Sequence, residues 1–424
     1  MKSLNDMYAN IRLQIEKFGD VQDLMGYFST DALIDMHNIL IKKEIRLINK
    51  AIRQGRYNID KINNKLEEIN LSASDFDSLY YEIRFHNYFP FPVTRALIPK
   101  SNGKQRSLGI PMYRDKVVQS LFAIIINYIY ESIFHTDVAF AYINNQGCHQ
   151  AIDCLSQSIS DSDMKFLVKV DIKDFFNQID HKKLLEFLGI RIKDKYFLMN
   201  IRRFLEAGIV YNGIFHTTPM GVAQGTLIAP VLSNVYLNHI IDEWFKSLNY
   251  KSRLIRYADD ISCCFTNKSD ALNFISDLEF QLGLYHLQLE PTKTKIISLI
   301  DGIPFNFLGL NIFRKKNNNV FIKMSQKKLA EIEVHIVQII KDELDLSKFR
   351  LLIVRINALL NSYYNYYGYY TNYFWLEELR FYTINILFEE LINDSEHIRI
   401  PSDELLQGLN NTILKPDKNK LIHL

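Results

Sequence analysis

Two adjacent aspartates interrupt an apolar, β-favouring run at residues 253–265. Residues such as Leu254 and Ile255 lead into Asp259 and Asp260, and the apolar run resumes at Ile261. This order predicts two short strands joined by a tight turn, with both carboxylates at the tip. In apolar surroundings adjacent carboxylates repel each other, and a hard divalent cation would neutralise them. A solvated Asp-Asp turn is the alternative that these residues leave open.

The composition is that of a globular protein without a dominant charge. The 424 residues are 48% hydrophobic, which is enough for a large core and two or three packed subdomains. Because the net charge is only +2, binding of a polyanion would have to come from local patches. The most apolar run, residues 117–130, is too short for a membrane span. No signal peptide is evident, and the four cysteines lack zinc or disulfide spacing, so we expect a cytoplasmic location without membrane association.

Residues 1–89 are predicted to form a helical N-terminal extension. Within it, residues 31–53 place apolar side chains at helical spacing, and Ser29 or Thr30 precedes them as a candidate N-cap. Lysine and arginine residues lie among the apolar positions. They indicate either a solvated helix face or a helix that faces RNA.

Proline residues mark a change of structure from Pro90 onward. Residues 93–99 and 105–111 are predicted to be two strands around a turn at residues 101–104. The cations of this hairpin are Arg95, Lys100, Lys104 and Arg106. They fit either a charged sheet edge or a hairpin that closes over a triphosphate.

A second acidic position follows a predicted buried strand at residues 166–170. Asp171 at the exit of this strand is either a metal ligand or the cap of the following turn. Phe175 and Phe176 come next and could form the floor of a ligand site. The small-residue loop at 217–226 contains Gly221 and Gly225, which permit close approach of another chain or a ligand, and it precedes a long apolar helix.

The pattern between residues 165 and 312 is strand, helix, helix, hairpin, helix, strand, with residues 307–312 as a further strand. This order predicts a split βαβ, ferredoxin-like core. From residue 325 the chain is again predicted to be helical, with Ile332, Ile336, Ile339 and Ile340 on one stripe. The tyrosine-dense stretch at 361–375 indicates a packed helix bundle or contacts to nucleic acid.

The order of these motifs resembles bacterial group II intron-type reverse transcriptases over about residues 90–390. The residues that carry the resemblance are Asp171, Gln224-Gly225, Tyr257-Ala258-Asp259-Asp260, Lys293-Thr294 and Phe307-Leu308-Gly309. The resemblance implies an α+β, right-hand polymerase with fingers, a ferredoxin-like palm and a helical thumb. The implied segments are an N-terminal extension at 1–89, fingers at 90–165, palm at 166–312 and thumb with C-terminal segment at 313–424.

The resemblance also implies a role for each motif residue. The catalytic acids would be Asp171, Asp259 and Asp260. Together with the Ile172 backbone they would bind two Mg²⁺ ions, with Mn²⁺ as a substitute. The dNTP would contact Lys100, Arg106, Phe175, Phe176, Gln224, Gly225 and Lys293. Phe176 would exclude a ribose 2′-OH, and Lys293 would contact the triphosphate or protonate pyrophosphate. The primer would lie against Tyr257, Phe307, Leu308 and Gly309.

Two departures from the group II pattern refine the expected function. Ala223 stands where these proteins usually have proline, and no zinc-endonuclease pattern follows the thumb, so self-insertion is not expected. The chain thus resembles stand-alone, defence-associated bacterial reverse transcriptases. We expect it to make cDNA from a structured noncoding RNA with dNTPs, in antiphage defence. The alternatives are a group II intron splicing or retrohoming factor, an untemplated nucleotide polymerase and a non-catalytic RNA scaffold.

Overall fold

The chain folds into two compact units. The computed structural model describes residues 4–53, 59–99, 105–248, 250–370, 373–393 and 402–416. The first unit consists of Met1–Lys43 and Lys65–Gly302, and the second consists of Glu44–Asn64 and Ile303–Leu424. The four segments expected from the sequence are a finer division, and their boundaries stay a prediction. In the described ranges no helix has both the length and the apolar character needed to cross a bilayer.

The first part of the chain is helical, as the sequence predicts. Its helices are α1 (Leu4–Phe18), α2 (Thr30–Arg53), α3 (Ile59–Ile69) and α4 (Ala73–Arg84). Ser29 is the N-cap of α2, since its Oγ accepts a hydrogen bond from the Ala32 N–H at 3.1 Å. Ser72 and Asp75 form a reciprocal capping box at the start of α4.

After α4, the described residues of the first unit form eight strands and eight further α-helices. The strands are β1 (Val93–Pro99), β2 (Gln105–Ile110), β3 (Phe166–Asp171), β4 (Ile209–Tyr211), β5 (Ile214–His216), β6 (Ser252–Tyr257), β7 (Asp260–Phe265) and β8 (Lys295–Ser298). The helices are α5 (Tyr113–Tyr130), α6 (Cys148–Ser160), α7 (Phe175–Gln178), α8 (His181–Arg191), α9 (Lys195–Glu206), α10 (Ala229–Leu237), α11 (Glu243–Ser247) and α12 (Lys268–Gly283). One π-helical turn, Asn238–Asp242, joins α10 to α11.

The predicted hairpin of β1 and β2 is part of a four-stranded sheet. Its order is β2-β1-β4-β5, in which β1 pairs with β2 in antiparallel and with β4 in parallel orientation. The two-residue turn between β4 and β5 has Asn212 at φ 50° and Gly213 at φ 79°. Left-handed backbone at both positions is the geometry that an Asn-Gly hairpin turn favours.

A second sheet, the palm sheet, is antiparallel and has the order β6-β7-β3-β8. Counted along the chain as first to fourth, its strands lie in the order 2-3-1-4, which is the ferredoxin-like arrangement predicted from the sequence. Leu167 and Val168 point to opposite faces of β3, and both are fully buried. Residues of α6 and α12 contact this sheet. The first unit therefore has an α+β core that holds the ends of β3 and β7 in fixed register.

The second unit joins a small sheet to a helical region. Its strands are β9 (Phe305–Phe307), β10 (Leu310–Arg314) and β11 (Val320–Met324), in the order β11-β10-β9. Its helices after this sheet are α13 (Gln326–Glu343), α14 (Phe349–Tyr367), α15 (Tyr373–Asn393) and α16 (Ser402–Thr412). The predicted stripe of Ile332, Ile336, Ile339 and Ile340 on α13 is buried. Tyr364, Tyr367 and Tyr370 are also buried, which supports the packed-bundle interpretation of the tyrosine-dense stretch.

The prediction of a single strand at residues 307–312 is wrong. Leu308 at φ 48° and Gly309 at φ 83° form a turn that ends β9 and begins β10. Tyr366 donates a hydrogen bond to the Leu308 carbonyl at 2.6 Å. The chain therefore reverses at Leu308 and Gly309, and both strands pair with each other in the sheet of the second unit.

Candidate active site

Three acidic residues lie together at one end of the palm sheet. Asp171 is the last residue of β3, and it lies opposite Asp260, the first residue of β7, in antiparallel register. Asp259 occupies the turn immediately before Asp260. The predicted Asp-Asp hairpin is thus present, and strand pairing brings the more distant Asp171 to the same edge.

The hairpin tip is a strained two-residue turn. Tyr257 and Asp260 pair across it, which leaves Ala258 and Asp259 as the central residues. Ala258 has φ 55°, a left-handed conformation that costs a non-glycine residue about 1–2 kcal/mol. Such strain persists only where the surroundings hold it in place, and it is concentrated at functional sites.

Burial and mutual repulsion perturb the two neighbouring acids. Burial raises the pKa of Asp259, and the negative charge of Asp171 raises it further. Burial also raises the pKa of Asp260, although the ammonium group of Lys169 opposes this effect. The ionised acids are therefore in an unfavourable environment that additional positive charge would relieve.

Two lysines supply positive charge at this edge of the sheet. Lys293 Nζ lies 2.5 Å from Asp171 Oδ2, and Lys169 Nζ lies 3.2 Å from Asp260 Oδ2. Although burial opposes it, the contact with Asp171 raises the pKa of Lys293. No motif recognised in the sequence includes Lys169. Its signal was its position two residues before Asp171, which places both side chains on one face of β3.

The donor set fits hard divalent cations, but the ion pairs occupy part of it. Asp260 Oδ1 is buried without a hydrogen-bond partner, which is costly for an ionised oxygen and suits a cation. Carboxylate oxygens are the ligands that Mg²⁺ prefers. Across the described parts of the chain, no three histidine, cysteine, aspartate or glutamate side chains meet in a geometry that could hold a metal ion. Lys293 and Lys169 each contact one carboxylate oxygen, the Oδ2 of Asp171 and of Asp260, and the metal ligand set stays a prediction.

The backbone beside Asp171 is compatible with the role expected for Ile172. Ile172 and Leu289 form an isolated antiparallel bridge. Its hydrogen bonds run from the Glu290 N–H to the Asp171 carbonyl at 2.8 Å and from the Lys173 N–H to the Gln288 carbonyl at 2.9 Å. Neither bond uses the Ile172 carbonyl, so this bridge leaves that oxygen for a ligand.

The two phenylalanines of α7 differ in exposure. Phe175 is only 2% exposed and packs against Phe176 and Tyr236, with ring centroids 5.5 and 6.3 Å apart. Phe176 is half-buried. In the predicted ligand floor, only Phe176 is therefore accessible to a ligand, and the buried Phe175 supports it from the core.

The glycine loop connects α7 to the sheet that contains β2. The Val222 N–H donates to the Phe176 carbonyl at 2.7 Å, and the Gly109 N–H donates to the Gln224 carbonyl at 2.6 Å. Gly225 has φ 99°, and a Cβ there would lie 3.1 Å from the Gly109 carbonyl oxygen. Only glycine fits this close approach of two backbones without strain. Gln224 and Gly225 are thus fixed between Phe176 and β2.

Of the two cationic side chains predicted to bind the triphosphate, the structure describes only one, Arg106. Arg106 on β2 is exposed. Burial, followed by the Asp259 carboxylate, raises the pKa of Tyr142, and the positive charge of Arg106 opposes this rise. Arg106 and Asp259 therefore both act on the same phenol. Lys100 lies outside the described residues. Tyr142 was not identified from the sequence, and its left-handed backbone at φ 58° had no sequence signal.

The hydroxyl of Tyr257 accepts a hydrogen bond from a cysteine thiol. Cys148 Sγ donates a hydrogen bond to the Tyr257 hydroxyl at 3.1 Å. Burial, followed by this contact, raises the pKa of Tyr257. The phenol of Tyr257 therefore favours its neutral form, and its role near a primer end stays a prediction.

The second unit contains a groove next to the predicted primer-binding turn. The groove has a volume of about 740 Å³, and we call it the lysine groove. Its lining includes Gly309, Asn311, Lys323, Lys327, Lys328 and Trp375. Phe307 is fully buried, so its ring supports the turn from inside. The Leu308–Gly309 turn carries the predicted primer contact, and only Gly309 of the two lines the groove.

A ferredoxin-like palm sheet with three carboxylates at one end defines the class of right-hand nucleic-acid polymerases. Residues 98–312, about half of the chain, match the family described as reverse transcriptase (RNA-dependent DNA polymerase). The chain belongs to this reverse transcriptase family. As an enzyme it is accordingly an RNA-directed DNA polymerase.

The chain is also similar to individual proteins. Protein YkfC of Escherichia coli is 29% identical over 297 residues, which cover 61% of this chain and 76% of YkfC. The group II intron-encoded protein LtrA of Lactococcus lactis is 36% identical over 181 residues, which cover 42% of this chain but only 30% of LtrA. A structure of telomerase from Candida albicans, in complex with a TWJ fragment of telomeric RNA, aligns with a TM-score of 0.44 and 11% identity. That alignment covers 80% of this chain and 65% of the telomerase chain.

Proposed function

We propose that the chain extends a primer with dNTPs on an RNA template and that Asp171, Asp259 and Asp260 are its catalytic acids. The observation that supports this assignment is the position of the three carboxylates at one edge of the palm sheet. Lys293 lies 2.5 Å from one of them, and the half-buried Phe176 follows five residues after Asp171. The two other proposed nucleotide contacts, Gln224 and Gly225, lie in the loop whose Val222 N–H donates to the Phe176 carbonyl.

The proposed step is nucleotidyl transfer. The 3′ oxygen of the primer forms a bond to the α-phosphorus of the dNTP, the bond from that phosphorus to the bridging oxygen breaks, and pyrophosphate leaves. Two Mg²⁺ or Mn²⁺ ions, when bound, would lower the pKa of the 3′-OH and neutralise charge on the triphosphate. The carboxylates of Asp171, Asp259 and Asp260, with the Ile172 carbonyl, would hold these ions. The proton of the 3′-OH goes to water, and Lys293 either contacts the triphosphate or gives its proton to pyrophosphate.

The other side chains bind and select the nucleotide. Arg106 donates to phosphate oxygens from the exposed face of β2. Phe176 presents its ring where a ribose 2′-OH would come, and this selects dNTPs over NTPs. Gln224 and Gly225 form the pocket wall, which is attached to β2 because the Gln224 carbonyl accepts a hydrogen bond from the Gly109 N–H. Tyr257 lies near the primer end.

Primer extension by the purified full chain tests the activity. A labelled DNA primer annealed to a defined RNA should be extended with dNTPs in Mg²⁺, and sequencing should show products complementary to the RNA. Products of unrelated sequence would favour untemplated nucleotide addition. No extension on any primed RNA or DNA, together with retained RNA binding, would favour a non-catalytic RNA scaffold.

We further propose that the template is a structured noncoding RNA and that the cDNA serves antiphage defence in the cytoplasm. The support is the sequence resemblance to defence-associated bacterial reverse transcriptases, together with four cysteines that are free thiols, as is usual in a reducing compartment. The match to LtrA, an intron-encoded protein, favours a second candidate, a group II intron splicing or retrohoming factor. Sequencing of RNA crosslinked to the chain in cells separates the two: a short structured RNA supports defence, and intron RNA supports splicing.

The lysine groove is the proposed surface of the second unit for the nucleic-acid backbone. It combines exposed lysines with the amide of Asn311 and the ring of Trp375. Lysines neutralise phosphates, and an indole ring can stack on a base. The Leu308–Gly309 turn at the groove is the proposed primer contact.

A further inference from the structure

A buried ion pair lies directly behind the catalytic hairpin. Arg256 of β6 and Asp242 are both fully buried. Arg256 Nε donates to Asp242 Oδ1 at 2.7 Å, and Nη2 donates to Asp242 Oδ2 at 2.5 Å. This bidentate pair is weak evidence for stability, because well-packed apolar residues of similar volume often stabilise a core equally well. The distinctive contribution of the pair is a set of directed hydrogen bonds.

The remaining nitrogen of Arg256 reaches the strained turn. Nη1 donates to the Ala258 carbonyl at 3.3 Å and to Asn234 Oδ1 at 3.1 Å. Ala258 is the left-handed residue that directly precedes Asp259. Because an alanine does not favour this conformation by itself, an external bond to its carbonyl helps to hold the turn.

The same residues fix a second segment beside the acids. The Arg256 N–H donates to the Val138 carbonyl at 2.7 Å, and the Arg256 carbonyl accepts from the Phe140 N–H at 3.0 Å. Asn234 Nδ2 donates to the Ala141 carbonyl at 2.6 Å. Arg256 and Asn234 therefore connect the turn with residues 138–141, which directly precede Tyr142.

The π-helical turn explains how Asp242 comes to face Arg256. The Asn238–Asp242 turn contains one more residue than an α-helical turn, so it rotates everything after it by about 100° around the helix axis. π-Turns of this kind are frequent at functional sites. Asp242 is the last residue of this turn, so the π-helical geometry sets its direction relative to α10.

We propose that Arg256 and Asp242 form a positioning pair that holds the left-handed turn at Ala258 and thereby sets Asp259 and Asp260 relative to Asp171. This inference rests on the proposed catalytic role of those acids. Neither residue of the pair touches substrate. Their effect on the reaction is through the geometry of the turn.

The test replaces the pair with apolar residues of similar volume. The double variant Arg256→Met/Asp242→Leu should fold with a melting temperature close to that of the wild type, because it removes two buried charges together. Its kcat for primer extension should fall about 100-fold, since displacement of reacting groups by about 1 Å has an effect of this size. The Mg²⁺ concentration for half-maximal activity should rise, whereas the KM for a primer-template should change little. Arg253→Met, an exposed position on the same strand, is the matched control and should behave as wild type.

Mg²⁺-induced thermal stabilisation gives a readout that does not need activity. The wild type should gain stability at a lower Mg²⁺ concentration than the double variant. If the double variant unfolds, Arg256→Lys takes its place, since it keeps the charge but not the bidentate fork, and it too should need more Mg²⁺. An unchanged kcat and an unchanged Mg²⁺ requirement in the folded variant would overturn the positioning role. If Asp259→Ala also keeps wild-type activity, the catalytic assignment fails. If Asp259→Ala is inactive but the pair variant keeps wild-type activity, only the positioning inference fails.

Discussion

The palm end of the first unit and the lysine groove of the second unit use charged side chains in opposite ways. At the palm, Asp171 and Asp260 are held in register by two paired strands, and lysines lie within 2.5 and 3.2 Å of them. In the groove, Lys323 and Lys327 are exposed. Charges that are fixed and partly buried beside one another shift each other's pKa values and can act on a reacting group. An exposed charge contributes only a screened attraction, which varies with salt concentration. Substitutions in the two regions should therefore change different kinetic constants.

Removal of Asp259 should have the largest effect. Asp259→Ala should lower kcat at least about 1,000-fold, because several kcal/mol of transition-state stabilisation depend on metal ligands. Primer extension at saturating substrate measures this loss. The surface acid Asp163, which pairs with Lys251, supplies the control Asp163→Ala. Wild-type extension by Asp259→Ala would remove the palm end from the catalytic assignment.

The same acid should lower the stability of the metal-free protein. Burial and Asp171 raise the pKa of Asp259, so its ionisation disfavours the folded state. Above its folded pKa this cost is fully present, and it disappears as pH falls below the unfolded pKa, about 3.9. Asp259→Asn should therefore melt higher than wild type near neutral pH without metal, and the difference should vanish in acid. A lower melting temperature at neutral pH would show that Asp259 is structurally required.

Lys293 should have the next largest effect. Lys293→Met should lower kcat about 100-fold if its proton reaches pyrophosphate, since general acids contribute about 10²–10⁴. Lys293→Arg keeps the positive charge but does not readily release a proton. Recovery of kcat in the arginine variant would assign a triphosphate contact, and no recovery would assign proton transfer. Lys268→Met, an exposed lysine at the start of α12, should leave single-turnover rates unchanged.

Phe176 should affect selectivity more than rate. Phe176→Ala should lower the preference for dTTP over UTP about 10- to 100-fold, because the removed ring no longer excludes the 2′-OH. The ratio of the two kcat/KM values is the measurement, and the exposed Phe280 provides the control Phe280→Ala. If the preference stays unchanged, another residue forms the gate.

The features that could be predicted from the sequence have local signals. The apolar, β-favouring run around Asp259 and Asp260, the Asn212-Gly213 turn and Asp171 at the end of an apolar strand are each signals that span only a few residues. The ferredoxin-like order followed from the sequence of these elements, although the Leu308–Gly309 turn was missed because its flanking residues look like one strand. Gly309 was the available signal for that turn.

The contacts that could not be predicted depend on packing between distant elements. Lys293 contacts Asp171, which is 122 residues away in the sequence, and Lys169 contacts Asp260, which is 91 residues away. The pairing of Arg256 with Asp242 depends on a π-helical turn, which has no sequence signature here. Likewise, only the fold separates a buried Phe175 from a half-buried Phe176, since adjacent phenylalanines look alike in sequence.

Substitutions in the lysine groove should have the smallest effect, and they should change binding of nucleic acid rather than kcat. Lys323→Gln/Lys327→Gln should weaken binding of an RNA–DNA duplex and lower the slope of log Kd against log salt by about 1 to 2, because each lost phosphate contact releases about one counterion fewer. The kcat at saturating duplex should stay unchanged. Fluorescence anisotropy at several KCl concentrations measures the slope, and Lys348→Gln, elsewhere in the second unit, is the control. An unchanged slope would show that the groove does not bind the backbone, and a lower kcat would show that the groove also affects the catalytic step.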